Sequence, residues 1–207
     1  MLDGAFVIDT DGPLLVWEKP YYPTWFFPSA DVDSTIPSEM VHTSAESELD
    51  GHVRVDWDAI DHWLEEDEEV FVHVRSPYHR IDILQSSRHV RVEVDGVVIA
   101  ESSAPRLLFE TGLPTRYYLP KTDVRLDLMR PSDTQTSCPY KGNANYFDVD
   151  VNGSVQKDLV WYYDTPVRES VPIAGYLCFY NEFADIIVDG VPVGRPDDSP
   201  FSADRFA

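Results

Sequence analysis

Two stretches of this chain nearly repeat each other about 92 residues apart. Leu15-Val-Trp-Glu18, Pro23-Thr24, the aromatic pair Phe26 and Phe27, Pro28 and Asp31-Val32 return in the same order. Their second appearance is Leu107-Leu-Phe-Glu110, Pro114-Thr115, Tyr117 and Tyr118, Pro120 and Asp123-Val124. The offset is 92 from Glu18 to Glu110, 91 from Thr24 to Thr115 and 92 from Asp31 to Asp123. Apolar, acidic, proline and aromatic positions that recur together at one period mark a duplicated structural unit. The chain is therefore expected to hold a divergent first repeat over residues 1–86, a second repeat over residues 87–193, and a C-terminal tail over residues 194–207. Where the copies differ most is where a site kept in one and lost in the other is to be sought.

Strand signals dominate both copies, so the expected class is all-β with few short helices. Residues 90–98 read Val-Arg-Val-Glu-Val-Asp-Gly-Val-Val, a period-two alternation that turns at Asp95-Gly96. Further strands are predicted over residues 6–8, 14–17, 25–27, 70–74, 80–84, 107–109, 116–119, 124–129, 144–151, 159–162, 175–179 and 184–188. Asn152-Gly153 and Asp189-Gly190 mark turns between them, and 16 prolines disfavour long helices. One helix is predicted, over residues 56–66, where Trp57, Ile60, Trp63 and Leu64 fall on one helical face behind an acidic start. Residues 28–50 lack periodicity and read as a surface loop.

The charge narrows the partners. Against 37 acidic residues stand 16 Lys and Arg, a net charge of -21. Such a field repels nucleic acid and anionic lipid, so neither is an expected partner. No window has the length or apolarity of a membrane span, and the first residues carry no basic head or apolar run of a secretory leader. A cytoplasmic location is expected, with Cys138 and Cys178 as reduced thiols 40 positions apart. The sequence specifies no oligomeric state.

Chemistry concentrates in the second half. Thr136-Ser-Cys-Pro-Tyr-Lys-Gly-Asn-Ala-Asn-Tyr146 is the densest polar stretch, and Pro139 and Gly142 mark a turn that brings Cys138, Tyr140 and Lys141 together. A lysine beside a thiol favours the thiolate, and a desolvated lysine can act as a nucleophile. The first copy has no equivalent. The candidate pocket is accordingly placed in the second repeat. Its expected lining is Tyr140, Lys141, Tyr146, Trp161, Tyr180 and Glu182, with Cys138, Lys141 and Glu182 as the catalytic candidates. Lys141 is expected to fix an anionic group and Glu182 to accept a hydrogen bond or act as base. Glu18 and Glu110, kept by both copies behind an apolar triplet, are read first as structural acceptors. A second candidate is a positive island at Arg75, His79 and Arg80, extended by Arg88 and His89. It suits a carboxylate or phosphate, unless surplus surface acids pair with it. The six histidines form no tetrahedral set, so no metal and no cofactor is expected. No phosphate loop, dinucleotide glycine pattern or nucleophile elbow is present.

Several of these segments combine into a family pattern. They are Arg88-His-Val-Arg-Val-Glu-Val-Asp-Gly96, the run from Leu107 through Glu110 and Arg116 to Pro120, Asp123-Val-Arg125 and Cys138-Pro-Tyr-Lys-Gly142. To these are added Trp161, Ile173-Ala-Gly-Tyr-Leu-Cys-Phe-Tyr-Asn-Glu182 and Val188-Asp-Gly190. Across residues 88–193 the chain resembles the bacterial family known as domain of unknown function 427, sometimes labelled nucleotidyltransferase-like. The first half, including Pro77-Tyr-His-Arg80, resembles the divergent partner domain of its two-copy members. The resemblance implies two tandem β-tent-like domains, each with small sheets meeting at an angle. Zinc-binding relatives of that fold group use paired CxxC motifs; this chain has none, so zinc is not carried over. Neither a paired-aspartate metal motif nor a phosphate loop supports the nucleotidyltransferase label. The expected function is small-molecule binding in the second repeat, with or without catalysis. The alternative is a non-catalytic interaction or assembly module that turns its acidic exterior to a basic partner.

Overall fold

The computed structural model of the chain describes residues 1–196; most of the expected tail, residues 197–207, lies outside the described residues. Strands and turns make up the fold, and every helical element among the described residues is a 3-10 turn of three to six residues. The chain divides into two compact units, Met1–Tyr78 and His79–Ala207. The division falls ahead of the junction expected near residues 86–88. Residues 81–85 form a strand that pairs with residues 106–110, which places them in the second unit.

The first unit contains β1 (Leu14–Val16), β2 (Thr24–Pro28), β3 (Val41–Thr43), β4 (His52–Val55), β5 (Trp63–Glu65) and β6 (Glu68–Val70). The first four form an antiparallel sheet in the order β1-β2-β4-β3, and β5 and β6 form a separate hairpin. Trp25, Phe27, Val55, Ile60, Trp63 and Val70 share one buried core. Two expectations need correction here. The stretch read as a loop contains β3, three residues too short to show periodicity but held by pairing with β4. The predicted helix over residues 56–66 is instead a 3-10 turn, Trp57–Ala59, followed by β5. The indole N–H of Trp63 donates to the Trp57 carbonyl at 3.0 Å, and the Asp61 N–H donates to Met1, so the α-helical bond between Asp61 and Trp57 does not form. Asp56, at the start of that stretch, turns its carboxylate to His42 and Arg54.

The second unit contains β7 (Ile81–Gln85), β8 (Val90–Val94), β9 (Val97–Ser102), β10 (Arg106–Glu110), β11 (Arg116–Leu119), β12 (Met129–Cys138), β13 (Gly142–Val151), β14 (Ser154–Tyr162), β15 (Leu177–Phe179), β16 (Asp185–Val188) and β17 (Val191–Pro192). Seven strands form one sheet in the order β12-β13-β14-β15-β11-β10-β7, and four form another in the order β17-β16-β8-β9. The alternation of β8 buries Val90, Val92 and Val94 and leaves Arg91 and Glu93 at the margin. Its turn takes positive φ at Asp95 and Gly96, the geometry that an Asp-Gly pair favours in a two-residue hairpin. The strand predicted over residues 124–129 is mostly a 3-10 turn, Leu126–Leu128, across which Arg125 pairs with Asp127; β12 begins only at Met129.

Leu177 and Leu119, directly paired across β15 and β11, are both fully buried. Replacing Leu177 with alanine should cost about 2–5 kcal/mol in urea unfolding, whereas the same change at exposed Leu84 should stay within about 0.5 kcal/mol.

Candidate functional site

Register puts several of the candidate side chains of the second unit on one face of its large sheet. Tyr146, Trp161, Cys178 and Tyr118 are successive cross-strand partners on β13, β14, β15 and β11, so their side chains share a face. Arg106 lies opposite Tyr118, and alternation along β10 carries that face to Leu108 and Glu110. Glu110 faces Ile81 on β7, and two residues earlier comes His79. On β12, Thr136 and Cys138 lie opposite Ala144 and Gly142.

At the end of this face, three segments meet at Glu110. Its Oε2 accepts a hydrogen bond from Lys141 Nζ at 2.6 Å, and its Oε1 lies 3.0 Å from His79 Nε2. The three side chains are only 6, 12 and 18% exposed for Glu110, Lys141 and His79. Lys141 arrives on the β12–β13 turn, closed by its N–H to the Cys138 carbonyl. The His79 ring stacks on Tyr140 with centroids 4.3 Å apart. The buried Ser170 hydroxyl donates to the Tyr140 carbonyl at 2.9 Å, and the Val167 N–H donates to the Lys141 carbonyl. The turn therefore packs under the segment leading into the 3-10 turn Arg168–Ile173. Gly142 permits this approach: its φ is +94°, and a Cβ would stand 3.4 Å from the backbone of Thr165 and Val167. Tyr163 completes the surroundings. Burial pushes its phenol well up, and the nearby Cys138, Tyr146 and Glu110 add to the effect.

Part of the expected lining belongs to a different cluster. Glu182 does not face the Cys138 turn as a base. Both its carboxylate oxygens accept hydrogen bonds from Arg116, at 2.7 and 2.8 Å, and the pair is sealed at 1 and 7% exposure. Trp161 and Tyr180 lie beside that guanidinium, with ring centroids 5.4 and 5.8 Å from it. Burial opposes the charge of Arg116, yet the bonds and charge of Glu182 outweigh it and hold the group protonated. Tyr146 is buried and its hydroxyl lies 2.7 Å from Thr136 Oγ1. The structure thus joins Tyr140 and Lys141 to Glu110 and His79, and gives Trp161, Tyr180 and Glu182 to Arg116.

The residues of the expected positive island each have an acidic neighbour. Arg75 belongs to the first unit and pairs with Glu65, while Arg80 pairs with Asp82, Arg88 with Asp189 and His89 with Glu101. Both cysteines are free; burial pushes the Cys178 thiol up, while Cys138 is partly exposed. Sequence reasoning missed that His79 shares Glu110 with Lys141 and that Tyr163 lies near Glu110. Glu110 was singled out by the repeat, and it proves to be the residue on which Lys141 and His79 converge.

The fold and this cluster define an all-β domain with a polar centre built on its larger sheet. The family profile described as domain of unknown function (DUF427) matches residues 82–190, more than half of the chain, and the chain belongs to that family. Glu110 and Lys141 lie inside the matched span; His79 lies three residues before it. No curated protein matches the chain.

Two outcomes test this geometry. Glu182→Gln should destabilise the chain by about 3–5 kcal/mol by leaving Arg116 buried without its counter-charge, and Arg116→Met with Glu182→Leu should recover much of the loss. Iodoacetamide should modify Cys138 in the native protein and reach Cys178 only on unfolding, as read by mass spectrometry.

Proposed function

We propose that the second unit binds a small polar organic molecule at Lys141, with Glu110 and His79 as its fixed partners. The observation that carries this reading is the unfilled bonding capacity of a nearly buried ammonium. Lys141 has three N–H donors; one goes to Glu110, and among the described residues the others meet no protein acceptor. An acceptor oxygen on a ligand, carboxylate or phosphoryl, suits them. The Tyr140 and His79 rings supply apolar contact, and Glu110 and His79 supply groups able to exchange protons with a bound molecule.

The reading is sharpened by comparing the two units, which we take to be copies of one β-tent-like domain. Leu14↔Phe26, Leu15↔Trp25 and Val16↔Thr24 in the β1–β2 hairpin stand 92 positions before Arg106↔Tyr118, Leu107↔Tyr117 and Leu108↔Arg116 in β10–β11. The same interval relates the bridges Leu2↔Ala5 and Ile8↔Val32 to Val94↔Val97 and Ala100↔Val124. It also relates the 3-10 turns Ser29–Asp31 and Lys121–Asp123. The order β1-β2-β4-β3 has its parallel in β10-β11-β15-β14. By this register Trp25 and Phe26 match Tyr117 and Tyr118, one place earlier than the sequence pairing of Phe26 and Phe27. Glu18 then stands where Glu110 stands, but its side chain is 41% exposed and reaches only Arg54, at 3.9 Å. The position is shared, whereas the buried cluster is found in the second unit.

The test is a thermal-shift screen of the purified chain against a metabolite library. A ligand at a hundred times its Kd should add about 2.7 kcal/mol of stability. We expect one class of small anionic compounds to raise Tm and Lys141→Ala to abolish the shift. Stabilisation that survives Lys141→Ala would contradict the reading, as would a library without any stabilising compound.

A further inference from the structure

Tyr163 directly follows β14, and backbone bonds fix its place. Its carbonyl accepts the Gly175 N–H at 2.9 Å, and it bridges Ala174. Alternation from Trp161 turns its side chain to the face of the large sheet that carries Tyr146 and Cys178. Four residues on, the Val167 N–H donates to the Lys141 carbonyl at 3.2 Å, so one segment anchors both the phenol and the lysine turn. Tyr163 is only 4% exposed. Its phenol lies near Cys138, Tyr146 and Glu110.

The Tyr163 hydroxyl makes no hydrogen bond to a described residue. Two other buried phenols of that face are bonded: Tyr118 accepts from the Trp161 indole at 3.0 Å, and the Tyr146 hydroxyl lies 2.7 Å from Thr136 Oγ1. Nor is the Tyr163 hydroxyl sealed. Among the described residues, the enclosed side-chain N and O atoms without a partner are Arg91 Nε, Arg106 Nε and Asn181 Oδ1. A buried hydroxyl without a bond costs its full desolvation, so one kept open to an incoming group calls for a partner from outside the chain. Around Glu110, three donors therefore lack a protein acceptor: the Tyr163 O–H and two N–H of Lys141.

Charge decides what they accept. Lys141 is already matched by Glu110, while Arg116 is closed by Glu182 and Arg80 by Asp82. A phosphate dianion would bring two negative charges to a site whose positive charge is balanced. The helical elements among the described residues are 3-10 turns of three to six residues, too short to add a helix N-terminus. A carboxylate brings one charge and two acceptor oxygens, one for each donor group.

We propose that the Lys141 site takes a small monocarboxylic acid, its two carboxylate oxygens held by the Lys141 ammonium and the Tyr163 hydroxyl. The proposal rests on ligand binding at Lys141 and adds the second donor and the class of ligand. Tyr163 is then a specificity-determining residue, because a primary amide would set an N–H donor against one of these donors.

Two measurements on the full chain test it. In the free protein, Tyr163→Phe removes an oxygen without a partner, so Tm should hold or rise, whereas Tyr146→Phe should lower it. A fall of Tm in Tyr163→Phe would assign the hydroxyl a structural bond and overturn the proposal. The second measurement is a thermal-shift panel of acetate, pyruvate, lactate and benzoate at constant pH and ionic strength. Each is run beside its primary amide, with inorganic phosphate as the dianion probe. We expect at least one carboxylate to raise Tm, and its amide and phosphate to leave it unchanged. In titration calorimetry with that carboxylate, Tyr163→Phe should weaken binding about tenfold or more. Lys141→Ala should abolish binding, and Tyr162→Phe, on the other face of β14, should leave it intact. Binding lost in Lys141→Ala but untouched in Tyr163→Phe would overturn the proposal while the Lys141 site stands. So would phosphate or the amide stabilising as strongly as the carboxylate. A panel in which no carboxylate raises Tm would also overturn it, and the wider library would then decide the Lys141 reading separately.

Discussion

A carboxylate held between a lysine and a histidine organises one end of the second unit's large sheet. Glu110 ends β10, His79 precedes β7, and Lys141 sits on the β12–β13 turn, so a single nearly buried side chain ties together three segments 31 residues apart on either side. Removing such charges from water is costly, and only mutual attraction with well-aligned hydrogen bonds offsets the cost. The surrounding structure reflects that demand. Gly142 lets the turn approach the segment 165–167, and Ser170 fastens the Tyr140 carbonyl. Tyr163 is buried among Cys138, Tyr146 and Glu110. Beside it, on the same sheet, Arg116 and Glu182 neutralise each other completely; at Glu110 the lysine keeps donors to spare.

The two units use their sheets to different ends. In the second, β8 fills the smaller sheet with valines and the large sheet gains the hairpin β12–β13, which delivers Lys141. In the first, Glu18 stays at the surface, and Trp25, Phe27 and Trp63 line a cavity together with Asp9, Asp11, Glu66 and Asp67.

Much of the fold was legible because it rests on local rules. The β8 alternation, the Asp-Gly turn, the paired hairpins and the polar turn at Cys138–Lys141 all follow from period and turn chemistry within a few residues. What failed was long-range. Trp57, Ile60, Trp63 and Leu64 mimic a helical face, but the Trp63 indole and Met1 take part in bonds that the helix would have needed. Strand β3 is three residues held by β4 alone. For the site, Lys141 and Tyr140 could be read from the turn, while His79 and Glu110 could not be joined to them. Their meeting depends on the pairing of β7 with β10, which no local pattern states. Glu182 was misplaced for the same reason: Arg116 is 66 residues away in sequence.

The account stands most directly on the coupling between Glu110 and Lys141. A double-mutant cycle in urea, with Glu110→Gln, Lys141→Met and the combined variant, measures it. The account predicts single losses that are far from additive, with an interaction of about 1–3 kcal/mol, as expected of charged partners in one buried network. Additive losses, with an interaction near zero, would contradict it.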